Sequence, residues 1–193
     1  MSRKYSGFTL IELVVVITII GLAITLATPS WDVVSQKRKL TNGTEQVAAL
    51  LVVAQSEAQK CNQAVSLVYS RSSDQNWCIG AVLSTGGCDC TETDTSSAQF
   101  CSIDGTSNSL SAASFGALSL IEAMDTQPST GDSRVTFDPV RGILEPAGDM
   151  LQLTFESEGG RYQLRLVLGP TGLMRICNPD TDKAVAGYST CTA

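Results

Sequence analysis

The residues best equipped for chemistry are seven cysteines, at positions 61, 78, 88, 90, 101, 177 and 191. Cysteines can hold a metal, act as nucleophiles or cross-link the chain. Cys88-Asp89-Cys90 has the spacing of half a metal site, but no second matching pair accompanies it, so a metal centre is not expected. The sequence has no histidine. That excludes Ser-His and Cys-His catalysis, His-ligated zinc and any switch that rests on imidazole titration. No serine or cysteine has a base to activate it and no glycine-rich nucleotide loop occurs, so neither a catalytic residue nor a cofactor-binding residue is assigned. Asp89, Glu92, Asp94 and Asp104 are grouped, but lack the alternating Asp/Asn loop ending in glycine and glutamate that calcium requires; a solvated acidic loop is expected instead. Cross-linking remains. In an oxidising compartment six cysteines can pair, with one left over, and the preferred bridge is Cys177 to Cys191. It would close the polar segment from Asn178 to Thr190, which contains Pro179 and Gly187 and is otherwise a loose C-terminal loop.

Glu12 is chemically out of place. It is the one ionisable residue between Phe8 and Thr28, in the run FTLIELVVVITIIGLAITLAT. As a helix those residues span roughly 31 Å, one bilayer core. An ionised carboxylate inside hydrocarbon costs roughly 2.5 to 3.5 kcal/mol on insertion scales, and no Lys, Arg or His within the segment offsets it. Such an acid lies near an end or receives a cation from outside the segment.

Several elements must position these groups. The apolar run is longer than the core of a secretory signal and has no cleavage signature at its end, which predicts a transmembrane helix over 8–29. Beyond Pro29, Leu40, Val47, Ala54 and Cys61 recur every seven residues, and Leu51 and Ala58 follow Val47 and Ala54 by four. This is one stripe of an amphipathic helix over 30–61, with Glu45, Gln46, Gln55, Gln59 and Lys60 on the opposite, watery face. Asn42-Gly43 is a turn signal within it. Residues 62–193 read as a β-rich head. Leu151, Leu153 and Phe155, and then Tyr162, Leu164, Leu166 and Leu168, alternate with polar neighbours. With Ser157 to Gly160 as the loop, the hairpin pairs Phe155 with Tyr162 and Leu153 with Leu164, and sets Glu156 against Arg161. A turn at Gly169 to Gly172 leads to a strand with Met174 and Ile176 inward and Arg175 outward beside Arg165. Val65 to Tyr69, Trp77 to Leu83 and Val135 to Phe137 are further strands, and Ser84 to Ser133 reads as surface loop.

The first twelve residues, MSRKYSGFTLIE, resemble the processing site of type IV prepilins: a short basic leader ending in glycine, then Phe, then Glu five residues after the cut. The resemblance implies that 1–7 is a leader, that a prepilin peptidase cuts between Gly7 and Phe8 and methylates the new amine of Phe8, and that Glu12 serves assembly by pairing with the amino terminus of a neighbouring subunit. LLVVAQSEAQK (50–60), VTFDPVRGIL (135–144) and GPTGLMRI (169–176) are similar to the soluble heads of the type IV minor pilin and type II secretion group that includes GspH, FimU and FimT, FimU most of all. The implied fold is α+β: a long N-terminal helix packed on an antiparallel sheet with disulfides.

Charge separates the functions open to such a chain. The whole sequence carries net charge −6. From residue 41 onward, eight basic side chains face seventeen acidic ones, a poor field for tracking phosphates. Some FimT-like pilins bind DNA through a basic C-terminal Gly-Arg-x-Arg motif. The aligned residues, Gly172-Leu173-Met174-Arg175, lack the first arginine, so nucleic acid is not an expected partner. The resemblance instead implies a non-enzymatic minor pilin that primes or caps a type IV pilus. It would sit in the inner membrane with a periplasmic head and then at the pilus tip. Its partners would be other minor and major pilins, the prepilin peptidase, the assembly platform and membrane lipid. A GspH-type secretion pseudopilin and a FimT-like DNA receptor are the alternatives.

Overall fold

The computed structural model describes residues 8–116, 118–125 and 133–191, and the side chains of all of these except 26–30, 124, 125 and 133. The elements in chain order are α1 Leu10–Cys61, β1 Val65–Ser73, β2 Asn76–Leu83, β3 Ser109–Ser111, α2 Ala112–Phe115, β4 Ser119–Asp125, β5 Ser133–Phe137, β6 Leu144–Glu145, β7 Leu151–Glu156, β8 Gln163–Leu168 and β9 Met174–Cys177. Two compact units divide after Gln36.

In the first unit, every side chain from Phe8 to Thr25 is exposed. Thr18 and Thr25 turn their hydroxyls back to the carbonyls of Val15 and Leu22, both at 2.8 Å, so neither adds an unmet polar group to an apolar surface. Among the described residues, no helix is long and apolar enough to cross a membrane. The expected span 8–29 extends into 26–30, whose side chains, Pro29 included, lie outside the described set.

In the second unit, the stripe on α1 forms one wall of a core. Leu40, Val47, Leu51, Ala54 and Ala58 are completely buried. Cys61, in the same stripe, is exposed where the helix ends. Asn42-Gly43 does not break the helix. A Cβ at position 43 would collide with the Leu118 side chain, so this glycine permits close packing where the sequence reads as a turn.

The helix covers two antiparallel sheets rather than one, ordered β3-β2-β1-β5-β6 and β4-β7-β8-β9. Leu67, Ile79, Val135 and Phe137 from the first sheet join Leu120, Leu153, Phe155, Leu164 and Leu166 from the second in a single cluster with α1. Trp77 lies between Phe115 and Phe155, with ring centroids 5.9 and 5.4 Å away, and its indole N–H donates to the Leu118 carbonyl at 2.9 Å.

The β7–β8 hairpin forms, but its register differs from the expected one by two residues. Phe155 pairs with Leu164, Leu153 with Leu166, Leu151 with Leu168, and Glu156 with Gln163 instead of Arg161. The loop is longer than supposed. Gly159 and Gly160 both have positive φ, and the Ser157 N–H donates to the Tyr162 carbonyl at 2.9 Å, so Arg161 and Tyr162 belong to the turn. A slip of two leaves every side chain on its original face, and the apolar face survives the error. β9 follows the expected pattern, with Leu166 opposite Ile176, Leu168 opposite Met174, and Arg175 exposed.

Ser84 to Ser133 is not all surface loop. Leu118 and Leu120 are core residues, and β3, α2 and β4 fall within the segment; 126–132 lie outside the described residues. Cys78 pairs with Cys90 and Cys88 with Cys101, so the two cysteines of Cys88-Asp89-Cys90 enter separate bridges. Cys78, Cys90 and Cys101 form a second buried cluster, on the face of β2 opposite Trp77 and Ile79. A segment poor in large apolar residues is thus fixed by two cross-links, as small exported domains commonly are.

Candidate assembly site and the head that carries it

Gly7 and the rest of 1–7 lie outside the described residues. Phe8 is 81% exposed at the start of the first unit. Thr9 and Glu12 cap α1 reciprocally: the Glu12 N–H donates to Thr9 Oγ1 at 3.3 Å, and the Thr9 N–H and hydroxyl reach Glu12 Oε2 at 3.4 and 3.5 Å. This is the capping-box arrangement, which the spacing of Thr9 and Glu12 encodes and which the sequence reading missed. It places the carboxylate at the positive end of the helix dipole. The bonds to Oε2 are long, and among the described residues Oε1 has no bond and Glu12 no ion pair. The group can still accept a strong hydrogen bond from a cation.

The head positions its polar groups through contacts that no motif announces. Gln55 lies on the supposed watery face, yet is half-buried; its amide donates to the carbonyls of Gly142 at 2.6 Å and Gly172 at 3.2 Å, fastening two loops to α1. The first of these loops is shaped by Asp138, whose Oδ1 accepts the N–H groups of Val140 and Arg141 at 2.9 and 2.6 Å. The Arg141 N–H foremost, against the opposing effect of burial, holds the Asp138 carboxyl below its ordinary range.

The C-terminal loop is closed by Cys177 and Cys191, which the structure joins with Cα atoms 5.0 Å apart. Asn178 fills the loop from within: its amide donates to the carbonyls of Val185 and Tyr188 at 3.1 and 2.6 Å, and its oxygen accepts the Val185 N–H at 2.9 Å. Side-chain contacts tie the loop outward. Tyr188 donates to Glu45 on α1 at 2.7 Å, and Lys183 donates to Glu156 at 2.8 Å. Burial pushes the Glu156 carboxyl upward, but Lys183 and Gln163 together outweigh it and leave it below its ordinary value. Burial, with Glu45 adding to it, raises the Tyr188 phenol.

The arginines considered for DNA lie on one face of β8 and β9. Arg165 is engaged by Glu122 at 2.6 Å and Thr154 at 2.9 Å, which leaves little of its guanidinium for a phosphate. Asp89, Asp94 and Asp104 each accept a hydroxyl and an N–H from the residue two positions on, so they build turns. Among the described residues, no group of three or more His, Cys, Asp or Glu could hold a metal ion. A cavity of about 720 Å³ beside Trp77 and the Cys78–Cys90 bridge has seven Ser and Thr residues in its lining, and its one carboxylate, Glu92, accepts the N–H groups of Thr93 and Asp94.

The family model described as "Type II transport protein GspH" matches residues 43–172, two-thirds of the chain, and the "Prokaryotic N-terminal methylation motif" matches residues 2–28. The chain belongs to the GspH family. Its members are structural pilin-like proteins and not enzymes, and the methylation motif implies membrane anchoring and incorporation into a pilin-type filament. No curated protein matches this GspH-family chain. Two crystal structures of the type IV minor pilin FimU from Pseudomonas aeruginosa are similar to it: one at 18% identity and TM-score 0.46, covering 74% of this chain and 90% of FimU, the other at 19% and 0.45, covering 71% and 91%.

Proposed function

We propose that this chain is a minor pilin of a type IV pilus. A prepilin peptidase cuts between Gly7 and Phe8 and methylates the Phe8 amine. The processed subunit leaves the inner membrane by side-on packing of its apolar helix with those of other pilins. The observation that carries this reading is the state of Glu12: a carboxylate at the head of an exposed apolar helix, which among the described residues has long bonds to Thr9 and no ion pair. The freed amine of a neighbouring subunit satisfies that carboxylate, and both charges then leave water as a pair, so assembly supplies the cation that no other described residue provides. A low-abundance role, priming assembly or capping the tip, is the finer part of the proposal.

The family description itself favours a second reading, a type II secretion pseudopilin. The two machines ask the same physics of the chain and differ in what fails without it. Deleting the gene in its host should lower the number of surface pili and leave enzyme secretion intact, and this chain should co-purify with other pilins in sheared filaments. Intact piliation with blocked secretion would overturn the minor-pilin reading in favour of the pseudopilin.

A further inference from the structure

Lys37, Arg38 and Lys39 are three consecutive basic residues in a chain of net charge −6, eight to ten positions beyond Pro29. Most bases in the head are ion-paired: Lys60 with Glu57, Arg71 with Asp74, Arg141 with Asp138, Arg165 with Glu122 and Lys183 with Glu156. Lys37, Arg38 and Lys39 form no ion pair among the described residues. Lys37 is nonetheless held in place, its ammonium 4.7 Å from the centre of the Tyr162 ring. The three line an open cavity of about 550 Å³ on the first turns of α1 in the second unit, with Val185 and Ala186 of the C-terminal loop as its apolar wall. Glu45 is the one acid in the lining, and its Oε1 accepts the Tyr188 hydroxyl at 2.7 Å, so the cavity stays net positive.

We propose that this cavity seats the phosphate of an anionic phospholipid headgroup while the chain resides in the membrane. The inference rests on the membrane-anchored reading of the N-terminal segment. Two features favour a lipid over an acidic protein segment. The cluster follows the apolar segment closely in the sequence, where basic residues meet the headgroup layer, and its wall pairs cationic groups with small apolar side chains that suit a glycerol backbone. The Cys177–Cys191 bridge and Asn178 hold that wall in place, so the seat is made before a lipid arrives.

The test uses the full chain in nanodiscs of phosphatidylcholine alone or with phosphatidylglycerol. The rates of lysine acetylation are read by peptide mass spectrometry, with exposed Lys60 as internal reference. Phosphatidylglycerol should slow acetylation of Lys37 and Lys39 relative to Lys60 by roughly five-fold, the effect expected when one charge near a membrane surface is neutralised. The variant Arg38→Gln should reduce that protection. Equal rates in both lipids overturn the proposal. So does protection in phosphatidylcholine that appears only with free inorganic phosphate, or only with an added acidic pilin head, since either assigns the seat to another ligand. Failure of the chain to co-elute with nanodiscs overturns the membrane reading and this proposal with it, whereas co-elution with unchanged acetylation overturns the proposal alone.

Discussion

The two parts of α1 arrange their apolar residues differently and meet opposite fates. Leu10, Ile11, Ile17 and Leu22 are 56 to 81% exposed, whereas Leu40, Val47 and Leu51 are fully buried beneath two sheets. The second part repeats its apolar residues on one stripe and has partners within the chain for it. The first is apolar all round, so no single packing surface of this chain could satisfy it. Stability of the head is therefore an internal property, and completion of the N-terminal segment is an external one. Mutations should divide along the same line.

The largest effect is expected from Glu12→Ala. On the proposed pairing it would leave the amine of the neighbouring subunit without its carboxylate, and breaking a buried pair costs about 3–5 kcal/mol, so recovery of this chain in sheared filaments should fall by more than about ten-fold. The circular dichroism of the head should not change. Unfolding of the head by this substitution would erase the distinction between the two parts.

Phe155→Ala should do the converse. It removes a fully buried ring that packs on Trp77, and should destabilise the head by about 3–5 kcal/mol in urea unfolding. Processing at Gly7 should be unaffected. Replacing Cys177 and Cys191 by serine should cost about 3 kcal/mol in the chain-entropy estimate for a loop of this size, read as a lower urea midpoint without loss of the α1 stripe from hydrogen-exchange protection. Gln55→Ala removes the donor shared by Gly142 and Gly172 and should cost about 1–3 kcal/mol, with exchange rising first in those two loops.

The smallest effect is a pH dependence confined to the head. Asp138 and Glu156 have folded values below their ordinary 3.8 and 4.5. Their contribution is complete above those ordinary values and is lost as pH falls through the lowered ones, so the urea midpoint should be flat above about pH 5 and decline below pH 4. Asp138→Asn should flatten part of that decline. A midpoint that rises on acidification would show that these carboxylates do not stabilise the fold.

The fold was legible wherever one periodicity governed a long segment. The stripe from Leu40 to Ala58, the alternation in β7 and β8, and the inward Met174 and Ile176 all follow from side-chain geometry. The β7–β8 register was not legible, because a pattern of period two cannot distinguish a pairing from one displaced by two, and only the turn at Gly159-Gly160 decides. Gly43 was misread because a glycine that admits the Leu118 side chain and a glycine that turns the chain are the same letter. Leu118 and Leu120 were hidden in a polar stretch whose order comes from two disulfides, and one sequence cannot choose among cysteine pairings. At the N-terminus, Glu12 was legible as a misplaced charge. Its capping partnership with Thr9 is equally readable in the spacing. The Gln55 clamp and the Asn178 lock left no signal, since an amide that bonds to distant carbonyls obeys no spacing rule.

The most direct test is mass spectrometry of the N-terminal peptide of this chain isolated from native filaments. The peptide should begin at Phe8 and carry one methyl group on its amine. Recovery of assembled, working protein that still begins at Met1, or that begins at any residue other than Phe8, would contradict the proposed processing.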